Sequence, residues 1–258
     1  MRDGMKIALC FSGGALRAAA QIGALRFLEE EGVQIAAVSG SSAGAIMALL
    51  VAAGWESRRI EAFLRSLRKR DLFRLSSEPG IFSLRGVERI LRRELGAIGY
   101  EDLRIPCFTC VTELESGKSR YLDSGDPVAN VLASSSLTPL FSPRQIDGVW
   151  YIDGGFSDNL PVRPLKELGL PVLSLNVNPL EGGVPENFRS LLMRSLMIML
   201  KNNIRPSREL SDAYLEVEGV AGMHLFDFKM LDEAIEAGYR ELAAAWPSFR
   251  LLLGAEIS

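Results

Sequence analysis

Histidine is almost absent from this chain: His224 is the only one among 258 residues. A metal site built on imidazoles is therefore disfavoured, and the cysteines that could replace them number three, Cys10, Cys107 and Cys110. Cys107 and Cys110 form a C-x-x-C, but they lie within IPCFTCVT, an apolar run with the character of a buried strand. Side chains three apart on a strand point to opposite faces, so the pair reads as two buried structural thiols. We expect no metal and no cofactor. An odd set of cysteines also fits a reducing compartment better than a disulfide framework. No window approaches the roughly eighteen uninterrupted apolar residues that cross a bilayer. The opening MRDGMKIALCFSGG lacks an apolar signal core with a small-residue cleavage site, so the expectation is a cytoplasmic protein.

What is present is an apolar content of 48%, enough for a substantial core, with no internal repeat, linker or low-complexity tract. The expectation is one domain over residues 1–258. The net charge of -3 hides an asymmetry, because residues 58–93 carry eleven Lys or Arg against four Asp or Glu. Within ESRRIEAFLRSLRKRDLFR, Ile60, Phe63, Leu64 and Leu67 recur at helical spacing among arginines, the pattern of one basic amphipathic helix. Such a helix either packs its apolar face on the core or docks on an anionic membrane surface. No nucleic-acid motif accompanies the charge, and no nucleic-acid partner is expected. The oligomeric state leaves no trace in the sequence.

Strands and helices alternate along the chain. KIALCF reads as a strand, SGGALRA as a small-residue turn, and the helix after it closes at Gly32; VQIAAVSG is a second strand running into the buried helix AGAIMALLVAAG. Further strands are expected at IPCFTCVT, SRYLD, VWYID and PVLSLNV, and helices at RGVERILRREL, near DPVANVLASS, and over roughly 186–204 and 231–245. This alternation predicts a three-layer α/β/α sandwich with a mostly parallel sheet.

Three stretches carry chemistry. Gly40-Ser41-Ser42-Ala43-Gly44 sits at a strand-to-helix junction, where a G-x-S-x-G turn presents its serine, here Ser42, on a strained elbow between glycines. FSGGALRAA lies at another such junction, its amides collected at a helix start where an anion would bind. Neither dinucleotide-loop nor phosphate-loop spacing is present in it. It is read as an oxyanion hole beside the elbow, since neighbouring parallel strands bring both turns to one sheet edge. For a base there are two candidates. His224 would complete the chain order Ser42, Asp153, His224 of an α/β-hydrolase triad; Asp153, ending a strand before Gly154 and Gly155, could act alone or equally mark a plain turn. RSLLMRSLMIMLKNNI carries Met193, Met197 and Met199, which either fill core, or line an acyl pocket or form a lid over it.

The segments SGGALRAAAQIGALRFLEEEGV, GSSAG, ASSSLTPLFSP and YIDGGFSDNLPV, in this order and with the closing FDFKMLDEAIEAGYREL, resemble the patatin-like phospholipase family over nearly the whole chain. The resemblance implies a Ser-Asp dyad that hydrolyses acyl esters of lipids through an acyl-enzyme, without metal or cofactor. Carried over by position, Ser42 is the nucleophile and Asp153 the base. Gly13, Gly14 and Ala15 are the oxyanion donors, and Arg17, Gly40, Gly44, Gly154 and Gly155 support the loops. The chain departs from the common G-G-G-x-R-G form at Ala15 and Ala18; a positive φ at Ala15 would cost about 1 kcal/mol. Two other functions share the fold. An acyltransferase would place histidine where Ser41 stands, and a silent lipid-binding module would retain the pocket without turnover.

Overall fold

The computed structural model describes residues 5–72, 74–76, 79–180 and 182–254. The elements run β1 (Lys6–Phe11), α1 (Ala19–Glu30), β2 (Gln34–Ser41), α2 (Ala43–Ala52), α3 (Ser57–Ser66), α4 (Lys69–Leu72), β3 (Arg74–Leu75), β4 (Phe82–Ser83) and α5 (Arg85–Leu95). Then follow β5 (Cys107–Glu113), β6 (Ser119–Leu122), α6 (Pro127–Ser134), β7 (Arg144–Ile146), β8 (Val149–Asp153), α7 (Arg163–Lys166), β9 (Val172–Asn176), α8 (Phe188–Leu210), β10 (Ala213–Glu216) and α9 (Leu231–Leu252).

The central sheet has the order β10-β9-β1-β2-β5-β8-β7, with β6 also paired to β5. The run from β10 to β5 is parallel, and β6, β7 and β8 join antiparallel. Alternation along β1 shows why both faces must be covered. Ile7, Leu9 and Phe11 pack into a cluster with α1, α2 and α9, whereas Ala8 and Cys10 join Leu160, Val162, Leu165 and Ile204 on the other face. This is the three-layer α/β/α sandwich expected from the alternation of strands and helices. The helix α2 is buried nearly all round, as its composition required.

Several boundaries differ from the sequence expectation. The basic stretch forms two helices, α3 and α4, because Leu67 turns to an extended backbone (φ -69°, ψ 139°); the residues around the break contain neither Gly nor Pro to announce it. Its apolar stripe faces inward, with Ile60 and Phe63 buried. The helix α8 continues past 204, through Pro206, because Ile204 and Ser207 are buried against the sheet, so packing there outweighs the lost backbone bond. Likewise α9 continues through Pro247, anchored by buried Trp246. The short strands β3, β4, β7 and β10 carried no readable pattern.

Candidate active site

The elbow forms as its glycines dictate. Ser42 adopts φ 52° and ψ -127° at the start of α2, a conformation that L-residues hold only under external constraint. The constraint is close packing: a Cβ on Gly40 would fall 2.1 Å from the Gly44 carbonyl oxygen, and one on Gly44 would fall 2.4 Å from that of Phe11. The Ser42 amide donates to Ser134 Oγ at 2.8 Å, so α6 holds the turn from the side.

Asp153 reaches this turn through strand register. Cys110 of β5 pairs with Ser41, and its neighbour Val111 pairs with Asp153 at the end of β8. Ser42 Oγ consequently donates to Asp153 Oδ2 at 2.7 Å, while the Gly155 amide donates to Oδ1 at 2.8 Å. Burial pushes the Asp153 carboxyl up to about 7, against the two hydrogen bonds that favour its charged form. Gly154 lets this turn lie on β5, since a Cβ there would be 2.3 Å from the Cys110 carbonyl oxygen.

The glycine loop lies against the elbow. A Cβ on Gly13 would come within 2.9 Å of Ser42 Cβ and 2.5 Å of Asn159 Oδ1. The Gly13 amide donates to the Asn159 carbonyl at 3.3 Å and is engaged. Gly14 and Ala15 begin the turn Ala15–Ala18, whose first amides have no carbonyl within the turn to reach. Ala15 does hold a positive φ, 49°, so its methyl carries the strain of about 1 kcal/mol that the departure from glycine implied. Asn178 Nδ2 donates to the Gly13 carbonyl at 2.6 Å and Gln21 Nε2 to that of Ser12 at 2.8 Å. Arg17 turns away from the elbow: its guanidinium donates to the carbonyls of Met223 and Ala221 and clamps the 221–223 loop.

Above Ser42 and Asp153 is a cavity of about 150 Å³ walled by apolar side chains of α1, α2, α3, α5 and α8 and by Leu225. The stripe Ile60, Phe63, Leu64 and Leu67 supplies one wall and Leu196 and Leu200 another. The wall from α8 is thus leucine rather than methionine. Met197 is buried beside it, Met199 is half-buried, and the Met193 side chain lies outside the described residues. His224 is exposed and borders a separate surface hollow with Arg17 and Arg194, while its neighbour Leu225 faces the cavity. Cys10, Cys107 and Cys110 are free and buried, with burial raising all three thiols. Gln21, Ser134 and Asn159 lie within the segments that carry the resemblance and Asn178 outside them, but no local pattern gives their roles, because each bonds a residue elsewhere in the chain.

A serine at a strand–turn–helix elbow, facing a buried carboxylate in a three-layer α/β/α sandwich, defines an α/β protein with an elbow-type candidate site. Residues 9–166 match the patatin-like phospholipase family, and the chain belongs to that family. It is 31% identical over 186 residues to an uncharacterized NTE family protein of Mycobacterium tuberculosis, covering 69% of this chain and 51% of that one. It is 30% identical over 195 residues to a lysophospholipase of Phaeosphaeria nodorum, covering 72% of this chain and 13% of the relative. The chain spans about half the length of the first of these and a small part of the second. Among solved structures, VipD from Legionella pneumophila superposes with a TM-score of 0.65 at 13% identity, over 95% of this chain and 67% of that one, a likeness of fold.

Proposed function

We propose that this chain is one catalytic domain that hydrolyses acyl esters of lipids, with Ser42 as nucleophile and Asp153 as its base. The observation that carries the reading is the 2.7 Å hydrogen bond from Ser42 Oγ to Asp153 Oδ2 at the polar end of an apolar cavity. Membership of the family, and a relative named as a lysophospholipase, support the substrate class.

In the first half-reaction Ser42 Oγ attacks the ester carbonyl carbon as its proton passes to Asp153 Oδ2. The amides of Gly14 and Ala15 receive the oxyanion, and donors of this kind are worth about 3 kcal/mol each in other hydrolases. The carbon–oxygen bond to the alcohol then breaks, and the Asp153 proton goes to the leaving oxygen. In the second half-reaction a water loses its proton to Asp153 and attacks the acyl carbon; Ser42 leaves, reprotonated, and the free acid departs. A carboxyl near 7 suits this exchange, being basic enough to take a proton and acidic enough to return it.

A fluorophosphonate probe is expected to label wild-type protein on Ser42, mapped by peptide mass, and to label Ser42→Ala nowhere. His224→Ala should label at the wild-type rate, because His224 is exposed outside the cavity; loss of labelling there would restore the triad. Gly13→Ala tests the contact between loop and elbow. Its methyl must push on Ser42 Cβ, and a displacement of roughly 1 Å should slow labelling about a hundredfold while the protein still melts cooperatively. A wild-type labelling rate would mean that the loop yields instead of the serine.

A further inference from the structure

Several of the most exposed apolar side chains lie on α8 or just before it, while others, Leu75, Leu251 and Leu252, are scattered on β3 and α9. Val184 is 90% exposed, Phe188 78% and Leu192 60%, with Leu191 and Ile198 also exposed. From Phe188 onward they recur three, four and six residues apart with exposed Ser195 between, so they form one outward ridge of α8. The inward side of the same helix carries Leu196 and Leu200, which wall the cavity over Ser42. Only the thickness of one helix separates exposed apolar surface from the proposed acyl site.

Charge selects the occupant. The helix α8 bears Arg189, Arg194, Lys201, Arg205 and Arg208 against the single acid Glu209, within a chain of net charge -3; even with Lys201 paired to Glu216 and Arg205 to Glu209, the helix keeps a local excess of positive charge. A basic helix with an exposed apolar ridge is the composition that seats at an anionic lipid–water boundary. A protein partner would need a groove shaped to the ridge, whereas a lipid surface accommodates a ridge of any shape. The basic stretch at α3 does not compete for this role. Its apolar stripe lines the cavity, so it has no outward apolar ridge to insert.

We infer that the outward ridge of α8, with Val184, docks on an anionic phospholipid surface and sets the cavity over Ser42 against its substrate. The inference rests on the proposed lipid hydrolysis for its purpose, but its test does not need turnover. Sedimentation with vesicles is measured on the Ser42→Ala protein, using phosphatidylcholine alone and phosphatidylcholine mixed with phosphatidylglycerol. Binding is expected to the mixed vesicles and to weaken as salt rises. Phe188→Asp with Leu192→Asp should lower that partition about tenfold or more, whereas Leu251→Asp with Leu252→Asp, each about as exposed as Leu192 but on α9, should leave it unchanged. In the active background the Phe188/Leu192 pair should hydrolyse a soluble short-chain ester normally and lose activity on vesicles. Should the two aspartates prevent folding, Phe188→Ser carries the same test.

Four results would overturn the inference: no vesicle binding by the parent protein, equal binding to pure phosphatidylcholine, unchanged binding by the Phe188/Leu192 pair, or self-association that the pair abolishes. The last would assign the ridge to a second copy of the chain. Failure of the hydrolase reading would be seen separately, as absence of the Ser42 adduct.

Discussion

Asp153→Asn is expected to abolish turnover and at the same time make the protein harder to unfold at about pH 8. The two effects share one cause. Burial raises the Asp153 carboxyl from 3.8 to about 7. In the folded state the group therefore keeps its proton over a pH range where the unfolded chain has already released it. Stability from this site is full below the unfolded value, declines as pH rises from about 4, and levels off above about 7. At about 1.4 kcal/mol per tenfold difference in proton affinity, the decline amounts to at most about 4 kcal/mol. Asparagine has no charge to bury, can still accept from the Gly155 amide, and can turn its amino group toward Ser42 Oγ. Urea unfolding should find variant and wild type alike near pH 4 and the variant more stable by a few kcal/mol at about pH 8. Activity should move the other way. Without a proton acceptor the variant should lose about 10³-fold in rate, and wild-type labelling should rise with pH through about 7 as the carboxylate forms. An Asp153→Asn protein less stable than wild type at about pH 8, or a labelling rate independent of pH across this range, would remove the buried base from the mechanism.

That prediction depends on a juxtaposition only partly written in the sequence. The two strand–turn–helix units at residues 6–30 and 34–52 were legible because each is a short apolar run broken by glycine-rich turns, and local chemistry decides both. Bringing Asp153 to Ser42 required something else. The strand β8 enters antiparallel and pairs with Val111, one residue beyond the Cys110–Ser41 pairing, and no periodicity within VWYID specifies that neighbour. The resemblance to a family supplied the pairing where spacing could not. The same limit explains what was missed. Alanine carries no mark of a positive φ, so the strain at Ala15 appears only in the fold. The break at Leu67 has no Gly or Pro, and Gln21, Ser134 and Asn178 act across 9, 92 and 165 residues of chain. The exposed ridge of α8 escaped notice for the opposite reason: its sequence reads as core, and only the arrangement of the layers leaves one side of it uncovered.

Gly23→Ala or Gly238→Ala is expected to destabilise the fold by about 3 kcal/mol or more each, a large effect for one methyl group. The cause is a reciprocal notch where α1 crosses α9. A Cβ on Gly23 would fall 1.8 Å from the Ile235 carbonyl oxygen, and one on Gly238 would fall 1.8 Å from that of Ala20. Both obstacles are helix backbone, so a methyl can be admitted only by moving one helix off the other. That movement would also open the edge contacts of Phe27 with Tyr239 and Trp246, now at 5.5 and 5.8 Å. Once the helices have parted for one methyl the second enters space already made, so the double variant should cost clearly less than the two singles together. Gly182→Ala supplies the contrast: a Cβ there meets nothing within 4 Å, and its effect should stay within about 0.5 kcal/mol. Urea midpoints of the four proteins test the cycle, and strict additivity at Gly23 and Gly238 would show that the helices yield independently. The notch also bears on chemistry. The turn Ala15–Ala18 runs directly into α1, so a helix lifted from α9 carries Gly14 and Ala15 with it. Either single variant that remains folded should therefore label Ser42 more slowly than wild type, although both substitutions lie outside the residues that line the cavity.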